Sequence, residues 1–429
     1  MSTLTKIDHS PGSILSNAAA LLLGSAIAQG ATSIALLLMA RQLGPGQFGQ
    51  YSSSIVLVSF ASIVFNLGLD LWLLKEGGSN PSKTGELVSS VFATKLLIGL
   101  IWVGFFFWIT PITDSSTFPT NIVRLAALTV WLNSLIASAL TSFKMVLRNK
   151  ISAVFESTLN LLWLITTLVL IYFSVRQAVG FLIARTLLLA AGSIGSITLV
   201  WFTFRGQPNR KTIIEALQQS PAYAASEFLV LLFMRMDVLI VALILGEFEA
   251  GLYSPAVGVI NVLLLVPVAL YQVILPLLSS LFSTDSRKAW QASRRFAGLF
   301  LILGAFLSLG IFFGSDLLTL ILGGAFIESQ YILKLLSPIL FLHSITFAVA
   351  AILVATNQQA KRTSIQVVAV AADALLNLIL LPRLGIEGAA IAYVISEILL
   401  LAGYCWLVIR FQKDARALEV RTNMNPGAP

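Results

Sequence analysis

The sequence predicts an all-α, polytopic membrane protein of twelve transmembrane helices arranged as two six-helix halves. Three observations carry that prediction. Only 11% of the 429 residues are charged and 57% are hydrophobic, where an ordinary soluble domain carries roughly 25% charged residues. The mean hydropathy is +0.91, and apolar runs of spanning length recur from end to end. The basic residues outside those runs gather on one side of the membrane when loops are assigned to alternate sides. A transmembrane β-barrel is excluded, because its strands alternate apolar and polar residues over only about ten positions.

In chain order the apolar segments are residues 14–40, 50–74, 87–109, 121–142, 151–173, 178–204, 219–245, 252–281, 296–323, 331–355, 363–382 and 386–410. Each is long enough to cross about 30 Å of hydrocarbon as a helix. The first is too long for a signal-peptide core and is interrupted by Ser25, Gln29 and Thr32, so it reads as a retained helix. The eighth contains Pro255, Pro267 and Pro276 and the tenth Pro338, which predicts kinks. Between the segments lie short loops, so function is expected in the membrane part or the loops, and no catalytic residue is predicted.

Of the 27 Lys and Arg, 19 fall on one side and only Arg41, Arg176 and Arg383 on the other. The rich side includes Lys6, the group Lys144, Arg148 and Lys150, and the group Arg287, Lys288, Arg294 and Arg295. By the positive-inside rule both termini are expected in the cytoplasm, and the net charge of +8 reads as a topology signal without nucleic-acid binding. One cysteine, Cys405, allows no internal disulfide, and His9 and His343 alone do not make a His-rich metal site. No G-x-x-x-x-G-K-[ST] occurs, which excludes a P-loop ATPase.

An internal repeat divides the chain. Leu43-Gly44, four residues, Gly49, one residue and Tyr51-Ser52 match Leu245-Gly246, four residues, Gly251, one residue and Tyr253-Ser254, an offset of 202. A weaker echo links Gly180 and Ile183-Ala184 to Gly388 and Ile391-Ala392, an offset of 208. Both link segment n to segment n+6, so the halves are expected as parallel repeats. The division is a lobe at 1–204, a linker at 205–217, a second lobe at 218–411 and a tail at 412–429. The motif's glycines are expected to supply left-handed φ values in a tight turn, and Tyr51 and Tyr253 to sit at the membrane interface.

Three stretches resemble the polysaccharide biosynthesis or oligosaccharide flippase family (Wzx-type) of the multidrug/oligosaccharidyl-lipid/polysaccharide exporter superfamily. They are Ala40-Arg41-Gln42-Leu43-Gly44-Pro45 with Phe48-Gly49-Gln50-Tyr51; Arg235-Met236-Asp237 with Leu245-Gly246 and Gly251-Leu252-Tyr253-Ser254; and Asn377 with Leu381-Pro382-Arg383-Leu384-Gly385-Ile386-Glu387-Gly388 and Glu397. The resemblance implies two six-helix lobes facing a central cavity. It also implies a substrate, a polyprenyl-pyrophosphate-linked glycan carried from the cytoplasmic to the outer leaflet, and a place in a bacterial or archaeal plasma membrane beside glycan-assembly enzymes. The rival within the superfamily is an ion-coupled exporter of drugs or organic cations.

A charge at mid-bilayer costs at least about 2.5 kcal/mol, so it faces a cavity or a partner. The deep bases are Lys95, Arg185 and Arg235. A pyrophosphate headgroup needs cations in place of its hydration shell, so these three are the expected substrate-binding residues. The deep acids Glu227, Asp237, Asp373 and Glu397, with Asn377 one turn beyond Asp373, are expected to take up H⁺ or Na⁺ or to form a polar network. Asp70, Arg124, Glu156 and Lys334 lie close to span ends, where snorkelling suffices. At about 100° per residue, Arg235 and Asp237 point in opposite directions and are not expected to pair.

Overall fold

The computed structural model describes residues 11–112 and 114–424. Lys6 and the last residues of the tail, 425–429, lie outside them. Among the described residues there is no strand, and the helices in order are α1 (Pro11–Ala61), α2 (Ile63–Asn66), α3 (Leu69–Ser79), α4 (Thr84–Ile109), α5 (Thr120–Met145), α6 (Asn149–Tyr172), α7 (Ala178–Phe204), α8 (Arg210–Gln219), α9 (Pro221–Ile244), α10 (Glu247–Leu263), α11 (Leu265–Thr284), α12 (Ser286–Gly314), α13 (Asp316–Leu322), α14 (Ile327–Ala355), α15 (Gln359–Leu384) and α16 (Ile386–Met424). Ten helical stretches among the described residues are long and apolar enough to cross a membrane.

These ten relate simply to the expected segments. The first two expected segments run together as Ala20–Asn66, with the chain turning at Gly44 (φ 72°, ψ 170°) inside α1. The expected seventh segment is the helix α9, outside the ten. The eighth is broken between α10 and α11, at Leu264. Pro267 explains the place, because its ring clashes with the carbonyl four residues earlier, at Leu263, the last residue of α10. Pro276 and Pro338 are carried inside α11 and α14 without a break.

A second break falls where an unbroken span was expected. After α1 the chain forms one turn, α2, and then passes through Leu67 (φ 46°) and Gly68 (φ 68°), both left-handed, into α3. A Cβ on Gly68 would meet the backbone of Ser220 and Ala224 at the start of α9, so this crossing admits only glycine. The break delivers Asp70 into the first turn of α3, where a carboxylate suits the helix dipole.

The chain groups into two compact units. One runs to Pro255 and includes Leu320–Phe326; the other comprises Ala256–Thr319 and Ile327 onward. In the first, α1 packs along α6, and α5 along α7, α4 and α3. Leu69, Trp72, Val91, Leu135 and Phe143 form one core layer, and Phe65, Trp102, Phe106 and Val123 another. In the second, α14 packs against α12, α11 and α16, and α16 against α15, around Ile274, Leu278, Phe300 and Ala351. Because lipid tails are as apolar as leucine, helices in a bilayer associate through close contact of small residues. Gly24 against Ala153 in the first unit and Gly304 against Ser344 in the second supply that contact.

Candidate functional site

The deep charges fall into clusters. In the first unit the Lys95 ammonium lies 2.8 Å from Asp70 Oδ2 with 0% of its side chain exposed, against 22% for Asp70. Ser138 donates to the other carboxylate oxygen at 2.5 Å. Asp70 is thus not a snorkelling residue at a span end; the break at Leu67–Gly68 turns it inward onto Lys95. Glu227, half-buried on α9, stands within electrostatic reach of both.

Arg185 is placed differently. Its guanidinium lies over the buried Trp163 ring, 5.0 Å from the centroid, and Nη2 donates to Asn160 Oδ1 at 3.4 Å. Asn160 Oδ1 also accepts from the Thr32 hydroxyl at 2.9 Å. The other terminal nitrogen, Nη1, is buried with no hydrogen-bond acceptor among the described residues. Arg185 therefore holds a fixed, planar donor fork with one tine unused. Neither Asn160 nor Trp163 was singled out in the sequence; a lone Asn three residues before a Trp in an apolar helix was the signal.

Arg235 on α9 is exposed, whereas Asp237, two residues on, is buried. The Tyr253 hydroxyl donates to Asp237 Oδ2 at 2.6 Å and the Val238 amide to Oδ1 at 2.9 Å. The two charges face apart, as the helical angle requires. The Tyr51 hydroxyl of α1 lies within electrostatic reach of both Arg185 on α7 and Arg235 on α9.

Tyr51 and Tyr253 were expected at the membrane interface. Both rings are packed inside the protein, 8% and 0% exposed. Tyr253 is spent on Asp237, and Tyr51 stacks beside Phe48, ring centroids 6.3 Å apart. Of the motif's glycines, Gly44 and Gly246 have left-handed φ of 72° and 103°, whereas Gly49 and Gly251 lie inside helices without positive φ.

The second unit holds the remaining acids. Ser396 donates to Asp373 Oδ1 at 3.0 Å, and Asn377 Nδ2 to the Asp373 carbonyl at 2.9 Å. Glu397 is fully buried, with Thr346 donating to Oε1 at 2.8 Å and His343 Nδ1 lying 3.0 Å from Oε2. His343 was not foreseen as part of any site. Of the shallow charges, Arg124 donates to the Phe107 carbonyl and the Thr110 hydroxyl, and exposed Lys334 sits 4.7 Å from the Phe312 ring centroid. Among the described residues no group of three His, Cys, Asp or Glu is arranged to hold a metal ion.

The profile of a family described as polysaccharide biosynthesis protein matches residues 38–301, more than half of the chain. The chain belongs to that family. The match takes in α9 and its Arg235 and Asp237, together with Lys95 and Arg185. One curated relative, the probable low-salt glycan biosynthesis flippase Agl15 of Haloferax volcanii, is 26% identical over 164 residues, 38% of this chain. The match spans 34% of that relative's length. Two solved structures share the fold. An inward-facing MATE family transporter of the MOP superfamily aligns with a TM-score of 0.70 at 12% identity, over 90% of this chain and 95% of that one. The lipid II flippase MurJ in an inward closed conformation gives 0.68 at 14% identity, over 90% and 87%. With its apolar helices of spanning length, this member of the family is a multi-pass membrane protein.

Proposed function

We propose that the protein is a flippase that moves polyprenyl-pyrophosphate-linked oligosaccharide from the cytoplasmic to the outer leaflet by alternating access, for surface polysaccharide assembly. The observation that carries this reading is the Arg185 guanidinium, held over Trp163 with one buried donor unused, while Arg235 lies within electrostatic reach of the same Tyr51 hydroxyl. A guanidinium with a free N–H is a bidentate partner for phosphate, and an exposed Arg235 inside a span must face water or an anion, not acyl chains. The family, and the flippase named among the relatives, support the same direction.

In this reading twelve spans form two lobes, 1–204 and 218–411, joined by the linker 205–217 and followed by the cytoplasmic tail 412–429, around a central cavity. Lys95, fully buried and paired with Asp70, supports the cavity wall. The membrane is the bacterial or archaeal plasma membrane with both termini in the cytoplasm, the partners are membrane lipids and glycan-assembly enzymes, and coupling to H⁺ or Na⁺ provides direction.

The test is reconstitution in liposomes with a fluorescent polyprenyl-pyrophosphate oligosaccharide placed in one leaflet. Leaflet exchange well above protein-free vesicles is expected. Absence of exchange, with efflux of a cationic dye instead, would move the protein to the exporter branch.

A further inference from the structure

Lys95 and Arg185 are both deep bases of the first unit, and the fold treats them in opposite ways. Lys95 is neutralised by a carboxylate, Asp70, 2.8 Å away. Among the described residues no carboxylate stands within ion-pair distance of Arg185. Helix α6 holds it instead with two neutral side chains three residues apart on one face, the Asn160 amide and the Trp163 ring. The ring covers one face of the guanidinium, which leaves the in-plane N–H groups for hydrogen bonds. Nη2 spends one on Asn160 Oδ1 at 3.4 Å, and Nη1 keeps its own unspent. A buried base without a counter-ion is costly, and Lys95 shows that this unit can supply one.

The orientation of the Asn160 amide follows from its neighbours. Nδ2 donates to the Glu156 carbonyl at 2.9 Å, and Oδ1 accepts from the Thr32 hydroxyl of α1 at 2.9 Å. A carbonyl only accepts and a guanidinium only donates, so the amide has one workable orientation, with its oxygen toward Arg185. The position asks for a donor at one end, an acceptor at the other and no net charge. Asparagine meets all three conditions; aspartate, of the same shape, meets only the second.

We propose that Asn160 is the positioning residue of the Arg185 anion site: it orients the guanidinium and, being neutral, leaves the charge of Arg185 to a phosphate group. The residue type at this position thereby sets the preference of the site for multiply charged phosphates. The inference rests on the flippase reading for its substrate, a lipid diphosphate, and deepens it. An acid at position 160 would form its own charge-assisted pair with Arg185, compete with the ligand for the same N–H groups and cancel the charge that draws the anion in.

The test titrates inorganic pyrophosphate calorimetrically into the full-length protein in nanodiscs, for wild type, Asn160→Ala, Asn160→Asp and Arg185→Ala. Asn160→Asp is expected to fold, because Thr32 and Arg185 both have a proton to donate to the new carboxylate, and thermal unfolding verifies it. In Asn160→Ala the Thr32 hydroxyl still has the Ala28 carbonyl, 2.9 Å away. Asn160→Ala should bind within about tenfold of wild type, the worth of one neutral hydrogen bond. Asn160→Asp should bind at least about tenfold more weakly than Asn160→Ala. A residue that merely holds helices together predicts the reverse order, since aspartate keeps the shape and the bonds to Thr32 and Arg185 while alanine keeps neither. That reversed order, or wild-type affinity in Asn160→Asp, would overturn the proposal. So would a loss in Asn160→Ala as large as that in Arg185→Ala, a comparison that holds whether or not the aspartate variant folds. Leaflet exchange of the lipid-linked glycan by wild type judges the flippase reading separately. Exchange without pyrophosphate binding overturns the role of Asn160 and keeps that reading; binding in the expected order without exchange keeps the role and strikes the reading.

Discussion

Gly49 and Gly251 face each other across a backbone contact. A Cβ on Gly49 would collide with the Glu247 carbonyl, and a Cβ on Gly251 with the Pro45 carbonyl. Glu247 is Pro45 moved by the repeat offset of 202, as Gly251 is Gly49. The contact is therefore reciprocal, the pattern of a two-fold interface, here made inside one chain. The hydroxyls of Ser52 and Ser254, again an equivalent pair, lie 3.0 Å apart beside it.

Gly49→Ala or Gly251→Ala should each lower stability by about 1–3 kcal/mol through overpacking against backbone. Thermal unfolding in detergent measures this, with Gly46→Ala, where nothing lies within reach of a Cβ, as the neutral control.

In a Cys405→Ala background, Ser52→Cys with Ser254→Cys should form an intramolecular cross-link under mild oxidation. Locking this contact should stop leaflet exchange, and reduction should restore it. Exchange that continues in the cross-linked protein would show that the contact stays closed throughout the cycle.

Lys95→Met should cost about 3 kcal/mol, the lower end for breaking a buried pair because Asp70 keeps some exposure. The double variant Lys95→Met with Asp70→Leu should recover most of that loss. Chemical or thermal unfolding of the four proteins in a double-mutant cycle gives the coupling directly.

Tyr253→Phe should destabilise by about 1–3 kcal/mol, because buried Asp237 loses its hydroxyl donor. Arg235→Ala should change unfolding by less than about 0.5 kcal/mol, since its side chain is exposed. A thermal-shift comparison separates the structural acid from the basic residue two positions away.

How much of this was legible follows from what each feature depends on. Apolar runs are local, so the all-helical, membrane-spanning character was readable, with ten stretches of spanning length among the described residues where twelve were expected, as were the turn glycines Gly44 and Gly246, whose pattern repeats. The opposition of Arg235 and Asp237 followed from helical angle alone. Partnership was not readable: Asp70 meets Lys95 because the chain unwinds at Leu67–Gly68, and Leu67 carries no signal for a left-handed φ. His343 meets Glu397 across two helices, which one-dimensional spacing does not reveal. That a buried carboxylate, Asp237, claims the Tyr253 hydroxyl was not readable either, since the two lie on different helices.

Outside the membrane, Asp114 accepts from the Thr120 amide at 2.7 Å and the Thr120 hydroxyl at 2.9 Å at the start of α5. These bonds, the amide's first, hold its carboxyl below the usual range. A depressed folded-state pKa adds stability above the unfolded value, near about 3.9, and loses it as pH falls through the folded value. Asp114→Asn should therefore be less stable than wild type at neutral pH, and the gap should close in melting curves taken below about pH 4.

The central claim is that Arg185 and Arg235 bind the diphosphate. Leaflet exchange of the fluorescent polyprenyl-pyrophosphate glycan, measured for wild type, Arg185→Ala and Arg235→Ala at matched reconstitution and verified folding, tests it most directly. The predicted result is a drop of at least about tenfold in each variant, the equivalent of one lost charge-assisted bond. Exchange at the wild-type rate in both would contradict the account and leave the two arginines as structural residues.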